Sequence, residues 1–473
     1  MIINRRQFVG TAVMAGGAMM IGGRARAVSV SDPELPPLPT VKIHKIFIGR
    51  TGGYMARPTE EIQRLNDYLA ELEKKLGNVQ FVGGEIIPKV PVDAVATQAA
   101  GADAILIIYL SAHGGDAPIV DKIIGLDKPT ALFFQPFGGH GWMYFREWKK
   151  PGSKLVIMST SDWGELDDAV AMLRAPVWMR QSRIIAVGRA KGTKAACDPA
   201  EVKKRLGADL LMYTNDQIHE LMKAVDTDAV ATEAEQYWLS KAVKVMEPPR
   251  EEILNSVRMY LAVRDLMVRE RVQAITSSHC MGNPRCCLTF SKLCDLGRVG
   301  ACEGDIDSTI TMLLFAYAFG VPGFITDPVV DTAKNALIHF HCTSATRMAG
   351  PKAERLPFTI RDQTDTKGGA ALQVEYPVGQ DVTCAKLVNL DTMLCSTGKI
   401  TGTSTDANAC RTQFTTRIKN AQSMLMNWGG GVLNGKEHDT MTMLHRAVFF
   451  GDRTKGVQQL ADLMGFRVVE EGA

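Results

Sequence analysis

The chain has 473 residues and a formal net charge of +3, from 54 basic and 51 acidic side chains. Hydrophobic residues make up 46%, ordinary for a globular protein with a sizeable core, and the length suits two or three domains. Residues 1–27 carry Arg5, Arg6, Arg24 and Arg26 and no acid, so the rest of the chain has net charge −1, which leaves no electrostatic footprint for nucleic acid or an anionic membrane surface.

The N-terminus reads as an export signal. Asn4-Arg5-Arg6-Gln7-Phe8-Val9 is a twin-arginine pattern, a glycine-rich apolar run spans Val9 to Gly23, and Ala25-Arg26-Ala27 has the A-x-A form of a cleavage site. A membrane anchor needs about 18 or more apolar residues, and this run is shorter. Residues 1–27 are expected to be removed, leaving a periplasmic or secreted protein with no membrane attachment. Twin-arginine export moves folded proteins, often already loaded with a cofactor.

A proline-rich linker, residues 28–40, leads to a predicted strand at Val41–Ile48. A helix over Thr59–Leu76, a strand at Val79–Val82, a helix near Val92–Ala100 and apolar strands at Ala104–Leu110 and Thr130–Gln135 follow. A second unit of the same kind begins near Lys154, with strands at Lys154–Ser159, Arg183–Val187, Asp209–Tyr213 and Val272–Ser277. Helices are predicted between them at Leu166–Gln181, Pro199–Leu206 and Glu251–Glu270, and Phe324–Thr326 is a later strand. Such alternation implies parallel sheets covered on both faces. After about residue 355 the segments Ala371–Tyr376, Val382–Asn389, Met393–Thr403 and Gln413–Ile418 are short and Thr/Val-rich. They read as antiparallel sheet or a small barrel, closed by a helix at Asp452–Gly465 and a strand at Phe466–Glu470. The expected fold is α/β: two Rossmann-like parallel-sheet domains, 41–150 and 151–350, then a mainly antiparallel, barrel-like β domain, 351–473.

The most informative stretch runs from Ala301 to Pro328. Cys302-Glu303-Gly304-Asp305 opens an apolar helical run, and the later strand Gly323–Thr326 ends at Asp327-Pro328. Acids at the ends of buried elements are costly unless something compensates their charge. A divalent metal does so, since hard cations prefer carboxylate oxygens. Asp327 should lie at the C-terminal end of a strand, where open α/β sheets bind ligands. Glu303 and Asp305 also fit a plain helix start, and Asp327 a loop acid. His339 and His341 alternate on one strand, with His341 nearer its end. His445 enters an apolar strand, Met443–Phe450, whereas His438 sits in polar Glu437-His438-Asp439. Imidazole is a common metal ligand, so His445 and then His341 are the candidates to complete a site with Glu303 and Asp327.

Of the ten cysteines, five lie between Cys280 and Cys302. Their spacing matches neither ferredoxin pattern and contains no CxxC, so they read as structural thiols rather than a cluster or disulfides. The loops Gly49–Gly53, Ser111–Gly115, Gly138–Gly141 and Trp428–Gly431 each fit a substrate contact or a turn; the first lacks GxGxxG spacing and a Walker lysine. No GxSxG elbow occurs.

Ala301-Cys302-Glu303-Gly304-Asp305 with the Thr311–Leu314 helix, Gly320-Val321-Pro322 leading to Asp327, His341-Cys342, and Leu444–Val448 leading to Gly451-Asp452 resemble the L-fucose isomerase and L-arabinose isomerase superfamily. The resemblance implies aldose–ketose isomerisation through a cis-enediol with Mn²⁺, or with Zn²⁺ or another divalent metal in its place. It implies Glu303 and Asp327 as metal ligands that also shuttle protons, with His445 or His341 as a further ligand, and a homo-oligomer. The expected partner is a small sugar. Rival readings are a metal-dependent lyase or epimerase of a sugar derivative, a non-catalytic periplasmic sugar binder, and an iron–sulfur redox protein.

Overall fold

The computed structural model describes residues 35–49, 59–87, 89–111, 116–278, 282, 284–364, 366–428 and 444–472. The export signal, His113, Cys280 and His438 lie outside the described residues.

The first sheet comprises β1 (Val41–Ile48), β2 (Val79–Ile87), β3 (Ala104–Tyr109), β4 (Thr130–Phe134) and β5 (Leu155–Ser159), in the order β2-β1-β3-β4-β5. All its pairings are parallel. Every residue of β3 and β4 is buried, as a sheet covered on both faces requires. The sequence reading gave β5 to the second unit, but Leu155 pairs with Thr130 and the strand completes the first sheet.

The second sheet comprises β6 (Arg183–Val187), β7 (Asp209–Tyr213), β9 (Ala274–Ser277) and β10 (Val299–Cys302), parallel in the order β10-β9-β6-β7. Between β7 and β9 a two-residue β8 (Lys244–Val245) pairs instead with β13 (Phe358–Arg361), which also pairs with β14 (Ala371–Val374).

The barrel is closed, six-stranded and antiparallel. It consists of β11 (Phe324–Asp331), β12 (Ala336–His341), β15 (Asp381–Val388), β16 (Thr392–Thr403), β17 (Thr412–Ile418) and β18 (Arg446–Phe450). The ring order is β15-β18-β11-β12-β17-β16, closed by β15 on β16, and β19 (Arg467–Glu470) adds to β16 in parallel. Residues 324–341 were expected in the second α/β domain; they build two barrel strands instead. Phe324–Thr326 is a short apolar run, and such a run reads alike in a parallel sheet and in a barrel wall.

The helix Ile306–Phe319 joins the second sheet to the barrel. All fourteen of its residues are buried, as expected of a helix that is apolar all round. It packs on β9, β10, β15 and β18 and on the helix Arg174–Arg180. Tyr317 Oη lies 2.7 Å from Ser182 Oγ, which satisfies its polar end. One continuous apolar core runs through both sheets and the barrel. Among the described residues, no helix is long and apolar enough to cross a membrane.

Candidate metal centre

Strand β10 ends at Cys302, and the chain turns through two left-handed residues, Glu303 (φ 62°) and Gly304 (φ 73°). A side chain at position 304 would meet the Arg189 carbonyl oxygen at 2.6 Å, so glycine is required there. A glutamate held at positive φ stores strain on the order of 1–3 kcal/mol, the kind that accumulates at functional sites. Asp305 then caps the helix Ile306–Phe319, accepting from Ser308 N at 2.9 Å.

The other donors come from the barrel. Asp327 is on β11, His341 is the last residue of β12, and His445 immediately precedes β18. Thr326 pairs with Arg446, which brings Asp327 and His445 together at the end of that ladder. His445 Nε2 lies 3.2 Å from Asp327 Oδ1 and 3.9 Å from Glu303 Oε2. His341 Nε2 lies 3.9 Å from Asp327 Oδ2 and 4.0 Å from Glu303 Oε1. The four side chains named from sequence therefore converge. Both histidines are buried, and the two carboxylates keep 26% and 20% exposure.

His445 is oriented from behind. Its Nδ1 lies 2.9 Å from Asp305 Oδ2. The same carboxylate accepts from Lys386 Nζ at 2.8 Å and from Ser308 Oγ at 2.9 Å. Burial alone would raise the Asp305 pKa, but Lys386 and His445 outweigh it and hold the carboxyl well below its usual range. Burial would likewise lower His445, yet Asp305 and Asp327 push it up to about 9. For Asp327, burial is outweighed by His341 and His445, and its pKa falls.

These groups fit a divalent cation. Carboxylate oxygens with imidazole nitrogens form a donor set that could hold a divalent cation. Metal–ligand bonds of about 2.0–2.2 Å put two donors of one ion within about 4.4 Å of each other; the four histidine–carboxylate distances above lie within that reach, and single donor atoms of Glu303, His341 and His445 lie within 4.8 Å of one another. The 3.2 Å approach of His445 to Asp327 is misaligned as a hydrogen bond, and among the described residues neither buried atom has another partner. An Asp–His pair behind the metal-facing nitrogen is the usual support for a histidine ligand. His341 differs: its Nδ1 accepts from the Cys342 N–H at 2.9 Å. The neutral ring then carries its proton on Nε2, facing both carboxylates, and ligation through that atom requires the proton to leave.

The remaining sequence candidates resolve otherwise. His339 is a satisfied core histidine, 3.2 Å from Thr326 Oγ1, 3.0 Å from Thr416 Oγ1 and stacked on Phe414; burial pushes its pKa down to about 3. Gly49 meets the backbone of Ser111; the rest of its loop, and the loops at 112–115 and 429–431, lie outside the described residues. Cys286 lies against Met259, Cys294 donates to the Gly300 carbonyl and Cys302 to Thr343. These thiols do not assemble into one cluster, and no disulfide joins the described cysteines. Sequence reasoning missed the parts played by Asp305 and Lys386. The available signal was a lone lysine in the otherwise apolar run Cys384-Ala385-Lys386-Leu387-Val388. A surface cleft of about 750 Å³ between Lys149–Ser153 and Ala461–Arg467 contains none of the four residues.

No protein-family model matches the chain, and no curated protein matches it.

Proposed function

We propose that this protein is an exported, metal-dependent sugar isomerase that interconverts an aldose and a ketose through a cis-enediolate. The observation that carries the reading is the convergence of Glu303, Asp327, His341 and His445 where the end of β10 meets the barrel. A divalent cation held by Glu303, Asp327 and His445, Mn²⁺ or Zn²⁺, would polarise a sugar carbonyl and its neighbouring hydroxyl and stabilise the charge of the enediolate.

The chain's own groups supply the rest. Asp327, kept ionised by the two histidines, accepts a proton from the carbon next to the carbonyl, and a carboxylate on the other side returns one. Glu303, the more exposed of the two acids, is suited to exchange protons with substrate hydroxyls. His341 holds a proton on Nε2 beside both carboxylates. Asp305 and Lys386 fix the ring of His445. A homo-oligomer and twin-arginine export belong to the same proposal.

The test is elemental analysis of the folded protein beside Glu303→Gln and Asp327→Asn, followed by an aldose screen. About one Mn or Zn per chain is expected, with metal retention and turnover lost in both variants while the fold persists. Wild-type turnover in both, or no bound metal in the parent, overturns the reading.

A further inference from the structure

Three thiols from remote segments meet beside this centre. Cys287 opens the helix Cys287–Asp295, Cys342 follows β12, and Cys410 shortly precedes β17. The β12–β17 ladder, with His341 opposite Thr412, draws the last two together. The Cys342 thiol faces those of Cys287 and Cys410, with the Arg411 backbone N–H beside its sulfur. The three side chains form a small cluster with Ala371. Cys287 and Cys342 are buried, and Cys410 is half-buried. A ring nitrogen of His341 and the sulfurs of Cys342 and Cys410 lie within 4.8 Å of one another.

We propose that Cys342, Cys410 and His341, with Cys287 beside them, form a second metal site that takes a thiophilic cation, Zn²⁺ or Cu⁺. Metal–sulfur bonds of about 2.3 Å place two thiolates of one tetrahedral ion about 3.8 Å apart, so a small closure of the cluster completes the geometry. Soft sulfur ligands select Zn²⁺ and Cu⁺, whereas the neighbouring carboxylate set suits harder ions. The two centres therefore differ in chemistry; His341 would join this one through Nδ1, giving up its bond from the Cys342 N–H and leaving its Nε2–H toward the carboxylates. Core packing alone gives no reason for thiols from three distant segments to face one another and a histidine.

Binding here is not a redox step. Each thiol that ligates gives its proton to solvent as the metal–sulfur bond forms, and the half-buried Cys410 is the way out. The bound ion would tie the helix Cys287–Asp295 of the second α/β domain to two barrel strands and fix the position of His341.

The experiment uses the full chain, reduced and stripped of metal, titrated with Co²⁺ while the sulfur-to-cobalt charge-transfer absorption in the near ultraviolet is followed. The band is expected to saturate at about one cobalt per chain and to be lost in Cys342→Ser and Cys410→Ser. Cys410 is half-buried, so its variant tests the site even if Cys342→Ser does not fold. The band should persist in Asp327→Asn, so failure here is distinguishable from failure of the isomerase reading. No band in the reduced parent, an undiminished band in Cys410→Ser, or a disulfide among the three in protein purified without reductant overturns the proposal.

Discussion

Asp305 supports the centre without belonging to its donor set. It is fully buried and joins Lys386, Ser308 and His445 through one carboxylate. In Asp305→Asn, an amide oxygen set toward Lys386 and the histidine ring turns the NH₂ against the Ser308 N–H, and the negative charge is lost. Metal affinity should fall about 10–100-fold, as for other supports of a histidine ligand. The buried Lys386 would also lose its counter-charge, at a cost of about 3–5 kcal/mol. Adding Lys386→Met should restore the stability and leave the affinity low; recovery of both in the double variant would show a structural role only. Asp307 gives a pH-dependent prediction. It accepts from Thr193 N at 2.5 Å and Thr193 Oγ1 at 2.7 Å. The charged groups facing it are Lys386 from β15 and Asp305 from the helix cap. Burial pushes its carboxyl up to about 7, with Lys386 opposing and Asp305 reinforcing. The unfolded value is about 3.9, so the folded state binds the extra proton between the two. Stability from this group is present below about pH 4 and is lost as the pH rises through about 7, by up to about 1.4 kcal/mol per pH unit. Asp307→Asn should remove that slope in urea unfolding measured from pH 4 to 8; an unchanged slope would refute the assignment.

At the scale of elements, the centre depends on how β10 is held. Gly300 lies against Phe290 so closely that an added Cβ would collide with the backbone and ring of that residue. The helix Cys287–Asp295 and β10 thus touch without a spacer, three residues before Glu303. Gly300→Ala should destabilise the protein by about 1–3 kcal/mol, as overpacking does, and weaken metal binding by moving the turn. Denaturant midpoints with and without metal would check both effects. Much of this level was legible in the sequence. The fully apolar β3 and β4 announced parallel strands buried on both faces, and Asp305 before Ile306 announced a helix start. What stayed hidden was partnership. Neither β5 nor β11 carries anything in its own residues that says which sheet it joins, because the choice is made by long-range register.

For the whole molecule, the four residues that converge stood out in the sequence because each is a polar residue bounding an apolar element, where burial without compensation is costly. Their buried supports, Asp305 and Lys386, did not, because a satisfied ion pair in a core leaves no periodic trace. The assignment of β11 and β12 to the barrel changes what a bound cation would do. Glu303 belongs to the second sheet, whereas Asp327, His341 and His445 belong to the barrel. A cation held by donors from both would link two structural units, and any ligand that binds only the folded state stabilises it by mass action, by about 2.7 kcal/mol at a hundred times its dissociation constant. Added Mn²⁺ should therefore raise the thermal midpoint of the parent protein. If ligation crosses the boundary, Glu303→Gln must lose that rise as fully as Asp327→Asn does, since either change removes one side of the link. Calorimetry decides the matter: a rise that survives in Glu303→Gln and vanishes only in Asp327→Asn would mean the barrel holds the ion by itself.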